Sequence, residues 1–296
     1  MAIRIETVAK INCLLGESPM WDVRRKCLHF VDILSSVIYS YYPATGDLQS
    51  TTTPPMASAI APCKDGRFIV ATADGIYMLD IDNDTWSYFL SPERGVEGNR
   101  YNDGKCDEYG RFWIGSMHQE ERDGKGKLYV VQKNQSYKKV LDDITISNGL
   151  EWNPDGSLFY HIDSPTGTVK RYSYDAVSAH ISAAETIINF SAGEGVPDGM
   201  TMDETGMLWI AHFGGSCITR HNPETGEVLM KIELPVSQVT SCCFGGNGLN
   251  DLYITTAAKD LSEVELRRMP QSGYTFVVKD IGVKGLAANE FGKSAL

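Results

Sequence analysis

Short apolar runs alternate along this chain with polar, glycine-bearing turns, and the alternation has a long period. A polar residue, Asp198, lies eight positions before a turn glycine, Gly206, and the apolar run Leu208, Trp209, Ile210 follows at once. The same phrase recurs upstream. Asn148 precedes Gly156, Asn102 precedes Gly110, Ser58 precedes Gly66 and Glu17 precedes Arg25 by the same eight positions, each ahead of an apolar run. A sixth copy is less regular: Ser241, a Gly/Asn turn over Gly245 to Asn250, then Leu252, Tyr253, Ile254. Successive markers are 41, 44, 46, 50 and 43 residues apart. Short strands repeating at that period, with Gly/Asn/Asp turns between them, predict the blades of a β-propeller. The expectation is an all-β fold, six four-stranded antiparallel blades around a central channel, with residues 1–296 as a single domain.

The blades are expected over about Ser18 to Thr53, Ala57 to Leu90, from Asn102 with a polar insertion His118 to Lys127, Asn148 to Phe190, Asp198 to Leu234, and Ser241 to Val278. A closed array leaves no sheet edge unpaired. The strand Ile3 to Ala9 is therefore expected to pair into the last blade, and no amphipathic helix of four turns is expected anywhere. Innermost strands of a propeller line its channel, so the six markers Glu17, Ser58, Asn102, Asn148, Asp198 and Ser241 should ring one mouth of it.

Composition narrows the function classes. A formal net charge of −11 and a pI near 5.0 oppose binding to nucleic acid or to an anionic membrane, both of which reward basic patches. No apolar run reaches the ~20 residues that span a bilayer, and the N-terminal residues alternate as a strand rather than forming a signal-peptide core. The seven cysteines include no C-x-x-C pair. They are expected to be reduced and mostly buried, which points to a cytoplasmic protein.

The candidate chemistry lies in the ring. Glu17, Asn148 and Asp198 offer two carboxylates and an amide oxygen, a hard donor set suited to Ca²⁺, Mg²⁺ or Mn²⁺. Three protein ligands leave positions open for water and substrate. A polar residue at each blade entry also follows from turn formation alone. Glu17, however, is a poor turn former, and its charge facing Asp198 is repulsive without a cation. Arg100 and Asn102, two apart on a strand, share a face and could hold a polar substrate. The six histidines show no metal-ligand spacing, and neither a G-x-S-x-G elbow nor a phosphate-binding glycine loop occurs.

Five segments, taken together, resemble one family: Gly16-Glu17-Ser18-Pro19, Arg100-Tyr101-Asn102-Asp103-Gly104-Lys105, Ser147-Asn148-Gly149-Leu150, Pro197-Asp198-Gly199-Met200 and Thr240 to Gly246. The chain is similar to the regucalcin (senescence marker protein) and gluconolactonase family over nearly its whole length. The resemblance implies a six-bladed propeller that hydrolyses sugar-acid lactones with one divalent metal ion, Ca²⁺, Zn²⁺, Mn²⁺ or Mg²⁺. It places the metal ligands on Glu17, Asn148 and Asp198, makes Asp198 the acid/base, and puts substrate contacts on Arg100, Asn102 and Glu120. Alternatives are a calcium-binding regulatory protein and a metal-dependent hydrolase of phosphotriesters or aryl esters.

Overall fold

The computed structural model describes residues 4–293. Its strands form six four-stranded antiparallel sheets, and in five of them the four strands are consecutive in the chain. The sixth takes its outermost strand, Ile5–Ala9, from the N-terminus and pairs it with Thr275–Val278. The expected closure of the ring is thus met over Ile5–Ala9; Ile3 lies outside the described residues.

Each sheet exposes two apolar faces, so the core is divided into six clusters, one between each pair of neighbouring blades. The junction of the last and first blades is typical, with Trp21 stacked on Tyr253 at 5.5 Å between ring centroids. Outer strands carry mostly exposed polar residues, as in Asp47–Thr52.

The inner strands are Gly16–Asp22, Ala59–Pro62, Asn99–Cys106, Ser147–Trp152, Val196–Met202 and Val239–Gly245. Five of them carry a register shift at the marker level: between Glu17 and Met20, Tyr101 and Gly104, Asn148 and Leu150, Pro197 and Met200, and Val239 and Ser241. A bulge re-aims side chains that regular alternation would turn away from the channel. Close approach of the inner strands there requires glycine. A Cβ on Gly149 would lie 2.7 Å from the Asp198 carbonyl oxygen, and one on Gly199 would lie 2.1 Å from Ser241 Oγ.

The first blade departs from the simple eight-residue phase. Its left-handed turn residue is Lys26, with φ 53°, not Arg25, so Ser18 is the residue in phase with Asp198 and Glu17 lies one position upstream. Ser18 itself adopts φ 46°, and this local reversal within the bulge turns Glu17 into the channel.

One helix of six residues, Glu263–Arg268, follows Ser262, which caps it in a reciprocal capping box. Among the described residues no helix is long and apolar enough to cross a membrane.

Candidate active site

The ring residues are buried at one mouth of the channel: Glu17, Ser58, Asn102, Asn148, Asp198 and Ser241 are each between 2% and 8% exposed, and Arg100 is 7% exposed. Hydrogen bonds set the orientation of the two amides. Arg100 can only donate, and its Nη1 gives one bond to Asn102 Oδ1 at 2.7 Å and another to the Tyr101 carbonyl at 2.9 Å. Asn102 must therefore present its Nδ2 on the other side, where it donates to the Ser147 carbonyl at 2.8 Å and toward Asn148 Oδ1 at 3.3 Å. Ser164 fixes Asn148 by the same logic. Its hydroxyl donates to the Pro197 carbonyl at 2.7 Å, so it can only accept from Asn148 Nδ2, at 2.9 Å. The oxygen of Asn148 is thereby kept on the side of Asn102.

The carboxylates are held in an unfavourable state. Burial, then the charge of Asp103, pushes Glu17 up from 4.5 to about 8, against the opposing pull of the Ser18 N–H and Arg100. Burial and then the charge of Glu17 raise Asp198 well above the ordinary carboxylate range. Asp198 Oδ1 is buried with no hydrogen-bond partner among the described residues. Burial lowers Arg100 to about 10, with Glu17, Glu121 and Asp198 opposing that shift. Two buried carboxylates with an orphaned oxygen, beside an amide oxygen whose orientation is fixed, are a donor set that fits a divalent cation.

The polar insertion His118 to Lys127 lies over this mouth. Glu120 points to solvent, 69% exposed at its side chain and paired with Arg122 at 2.6 Å. Glu121, at φ 54°, instead pairs with Lys259 at 3.2 Å, and both charges act on the ring, Glu121 on Arg100 and Lys259 on Asp198. Glu121, Lys259 and the orienting Ser164 carry no local signal in the sequence. Ser164 lies 33 residues from its acceptor Pro197, and Glu121 lies 138 residues from Lys259.

A second group with metal-ligating atoms, Asp22, Cys27 and His29, is buried at the far end of the first blade. Its role follows from comparison with other blades. Asp107 and Asp203 each accept turn N–H groups and an indole N–H, from Trp113 at 2.8 Å and Trp209 at 3.0 Å. His29 holds the register position of those tryptophans, pairing with Met20 as Trp113 pairs with Lys105 and Trp209 with Thr201. Burial alone would raise Asp22, but His29 and Arg25 hold it below the ordinary range, with Arg25 Nη1 at 3.0 Å. That guanidinium already occupies the electrostatic place of a cation, and the cluster is a turn anchor.

The fold and the ring define a propeller with an oxygen-lined site at its axis. The profile of the SMP-30/Gluconolactonase/LRE-like region matches residues 15–258, and the chain belongs to this family. It is 36% identical over 268 residues to a Bacillus subtilis protein provisionally named sugar lactone lactonase YvrE, covering 90% of this chain and 92% of that protein. It is 34% identical over 290 residues to regucalcin of Oryctolagus cuniculus, covering 96% and 97%. Among solved structures, a calcium-binding protein, regucalcin, from Agrobacterium tumefaciens superimposes with a TM-score of 0.94 at 28% identity over 98% of both chains. A luciferin-regenerating enzyme superimposes with a TM-score of 0.92 at 31% identity, over 98% of this chain and 99% of the other.

Proposed function

We propose that this chain is a divalent-metal-dependent hydrolase that opens sugar-acid lactones, working as one six-bladed domain. The observation that carries the reading is the pair of buried carboxylates, Glu17 and Asp198, with the free Asp198 Oδ1 facing an amide oxygen fixed by Ser164. Glu17, Asn148 and Asp198 would hold the ion, be it Ca²⁺, Mg²⁺, Mn²⁺ or Zn²⁺, and when bound it supplies Lewis-acid polarisation of an ester carbonyl. Asp198 takes a proton from the water that adds to the lactone carbonyl and returns it to the ring oxygen as that carbon–oxygen bond breaks. Arg100 and Asn102 orient the hydroxyl groups of the sugar. Of the two loop glutamates, Glu121 stands in the field of Arg100, whereas Glu120 contacts a substrate only by leaving Arg122.

The similarity to a provisionally named sugar lactone lactonase supports the substrate class. The calcium-binding regucalcin fold is served by the same oxygen set, so calcium binding without turnover is the second reading. An acidic chain suits a small-molecule partner rather than nucleic acid or membrane. Seven free cysteines, six of them buried, accord with a cytoplasmic setting. The deciding experiment is a panel of sugar lactones, with aryl esters and phosphotriesters as controls, assayed on chelated protein after readdition of each ion. Ion-dependent turnover of lactones is expected, and binding of ions without any turnover would favour the second reading.

A further inference from the structure

Below the ring, the inner strands continue into a chamber of about 350 Å³ that none of the proposed lactone chemistry uses. Its wall is made from the residues that follow the markers in each blade, from Ser18 to Trp21 in the first to Ser241 to Phe244 in the sixth. Its rim is the segment 284–293, which crosses the far face of the propeller. The Glu204 N–H donates to the Lys284 carbonyl at 2.7 Å, Asn289 Nδ2 donates to the Cys106 carbonyl at 3.3 Å, and the Phe291 N–H donates to the Pro62 carbonyl at 2.7 Å. Leu286 and Ala287 are exposed on this strap and line the opening.

The lining is chemically mixed. Trp21, Met200 and Phe244 present apolar surface. Lys105 Nζ is bound by Glu151 Oε2 at 2.7 Å and by the Met200 carbonyl at 3.1 Å, and Asp103 stands beside it. Two carboxylates against one ammonium that is already paired give an anion nothing to bind. Trp152 is 8% exposed, lines the chamber, and its indole N–H has no acceptor among the described residues. A buried donor without an acceptor is costly, and a ligand that brings an oxygen relieves it. Carboxylate acceptors, an indole donor and apolar walls in a volume of this size match a molecule with a C–H face and several hydroxyls.

We propose that the lower chamber is a second binding site, on the opposite side of the ring from the lactone mouth, for a neutral hydroxyl-rich molecule of the saccharide or polyol class. The site is entered past Ala287, its hydroxyls are taken by Glu151 and Asp103, and Trp152 donates to one of its oxygens.

The test uses the full-length, metal-loaded protein, with D-glucose and maltose as probes in saturation-transfer NMR and tryptophan-fluorescence titration. Binding is expected in the parent protein and in Asp198→Ala. It should vanish in Ala287→Trp, which fills the opening from an exposed position, while lactone turnover in that variant stays unchanged. Trp152→Phe keeps the ring in its packed place but removes the N–H, and should weaken binding about 3- to 10-fold. Should that variant fail to fold by circular dichroism, Ala287→Trp alone decides. The proposal is overturned if neither sugar binds, if binding survives Ala287→Trp, or if it is lost in Asp198→Ala, which would place the sugar at the ring.

Discussion

Glu121 and Lys259 meet at 3.2 Å across the mouth of the channel, one from the insertion of the third blade and the other from the loop after the third strand of the sixth. In a ring of six those blades lie opposite, so the pair clasps two loops over the ring. Its side chains are 49% and 28% exposed, and such pairs contribute only about 0–1 kcal/mol. The expected consequence is therefore kinetic rather than structural. Lys259→Met and Glu121→Gln should each alter KM for a lactone by up to about 5-fold while the melting temperature stays within about 2 °C. Both should abolish the salt dependence of KM seen in the parent protein. An unchanged salt dependence would leave the clasp without a function.

Asp198→Ala removes the orphaned oxygen and the proposed acid/base together. Turnover should fall by at least about 100-fold with the circular dichroism of the fold retained, because Asp198 lies at the axis and outside the six interblade cores. Substantial lactone hydrolysis by this variant at saturating metal would remove Asp198 from the mechanism.

Ser164→Ala tests the orientation of Asn148. The substitution strips Asn148 Nδ2 of its acceptor and the Pro197 carbonyl of its donor, freeing the amide to rotate. Metal affinity should weaken roughly 10-fold, as for other groups that orient a ligand, with a stability cost of about 1 kcal/mol. Calorimetric titration of chelated protein with Ca²⁺ and Mn²⁺ measures it. Equal affinities in the two proteins would show that Asn148 is held by Asn102 alone.

The raised carboxyls give the metal-free protein a pH signature. Glu17 is moved from 4.5 to about 8, so between those values the folded state keeps a proton that the unfolded state has released. Stability then falls as pH rises through that window, being fully present below the unfolded value. Asp198, raised well above 3.8, acts in the same direction. The melting temperature of chelated protein should accordingly drop from pH 5 to pH 8, and a saturating divalent ion should reverse the drop. Melts with Ca²⁺, Mg²⁺, Mn²⁺ and Zn²⁺ provide the comparison. If no ion stabilised the protein at pH 8, the ring would be structural and not a metal centre.

Much of this protein is legible one residue at a time. The marker spacing locates the inner strands, because a strand and its turn are fixed by local alternation and by residues such as Gly206 and Gly156 that accept left-handed φ. The pairing of Ile5–Ala9 with the last blade follows from the need to close a ring. Asn102, Asn148 and Asp198 stand out because equivalent positions in a radial repeat face one axis.

Tertiary structure alone decided the rest. Glu17 lies one residue out of phase, and only the left-handed Ser18 within a bulge brings its carboxylate inward. Which of Glu120 and Glu121 turns toward the ring depends on Lys259, 138 residues away from Glu121. The orientation of Asn148 depends on Ser164 and a carbonyl of the next blade, and the rim of the lower chamber is a strap that crosses the far face of the propeller. Periodicity encodes where a side chain starts on a strand. Its final direction and charge state are set by partners that closure of the ring delivers from distant parts of the chain, and those contacts leave no trace in local sequence.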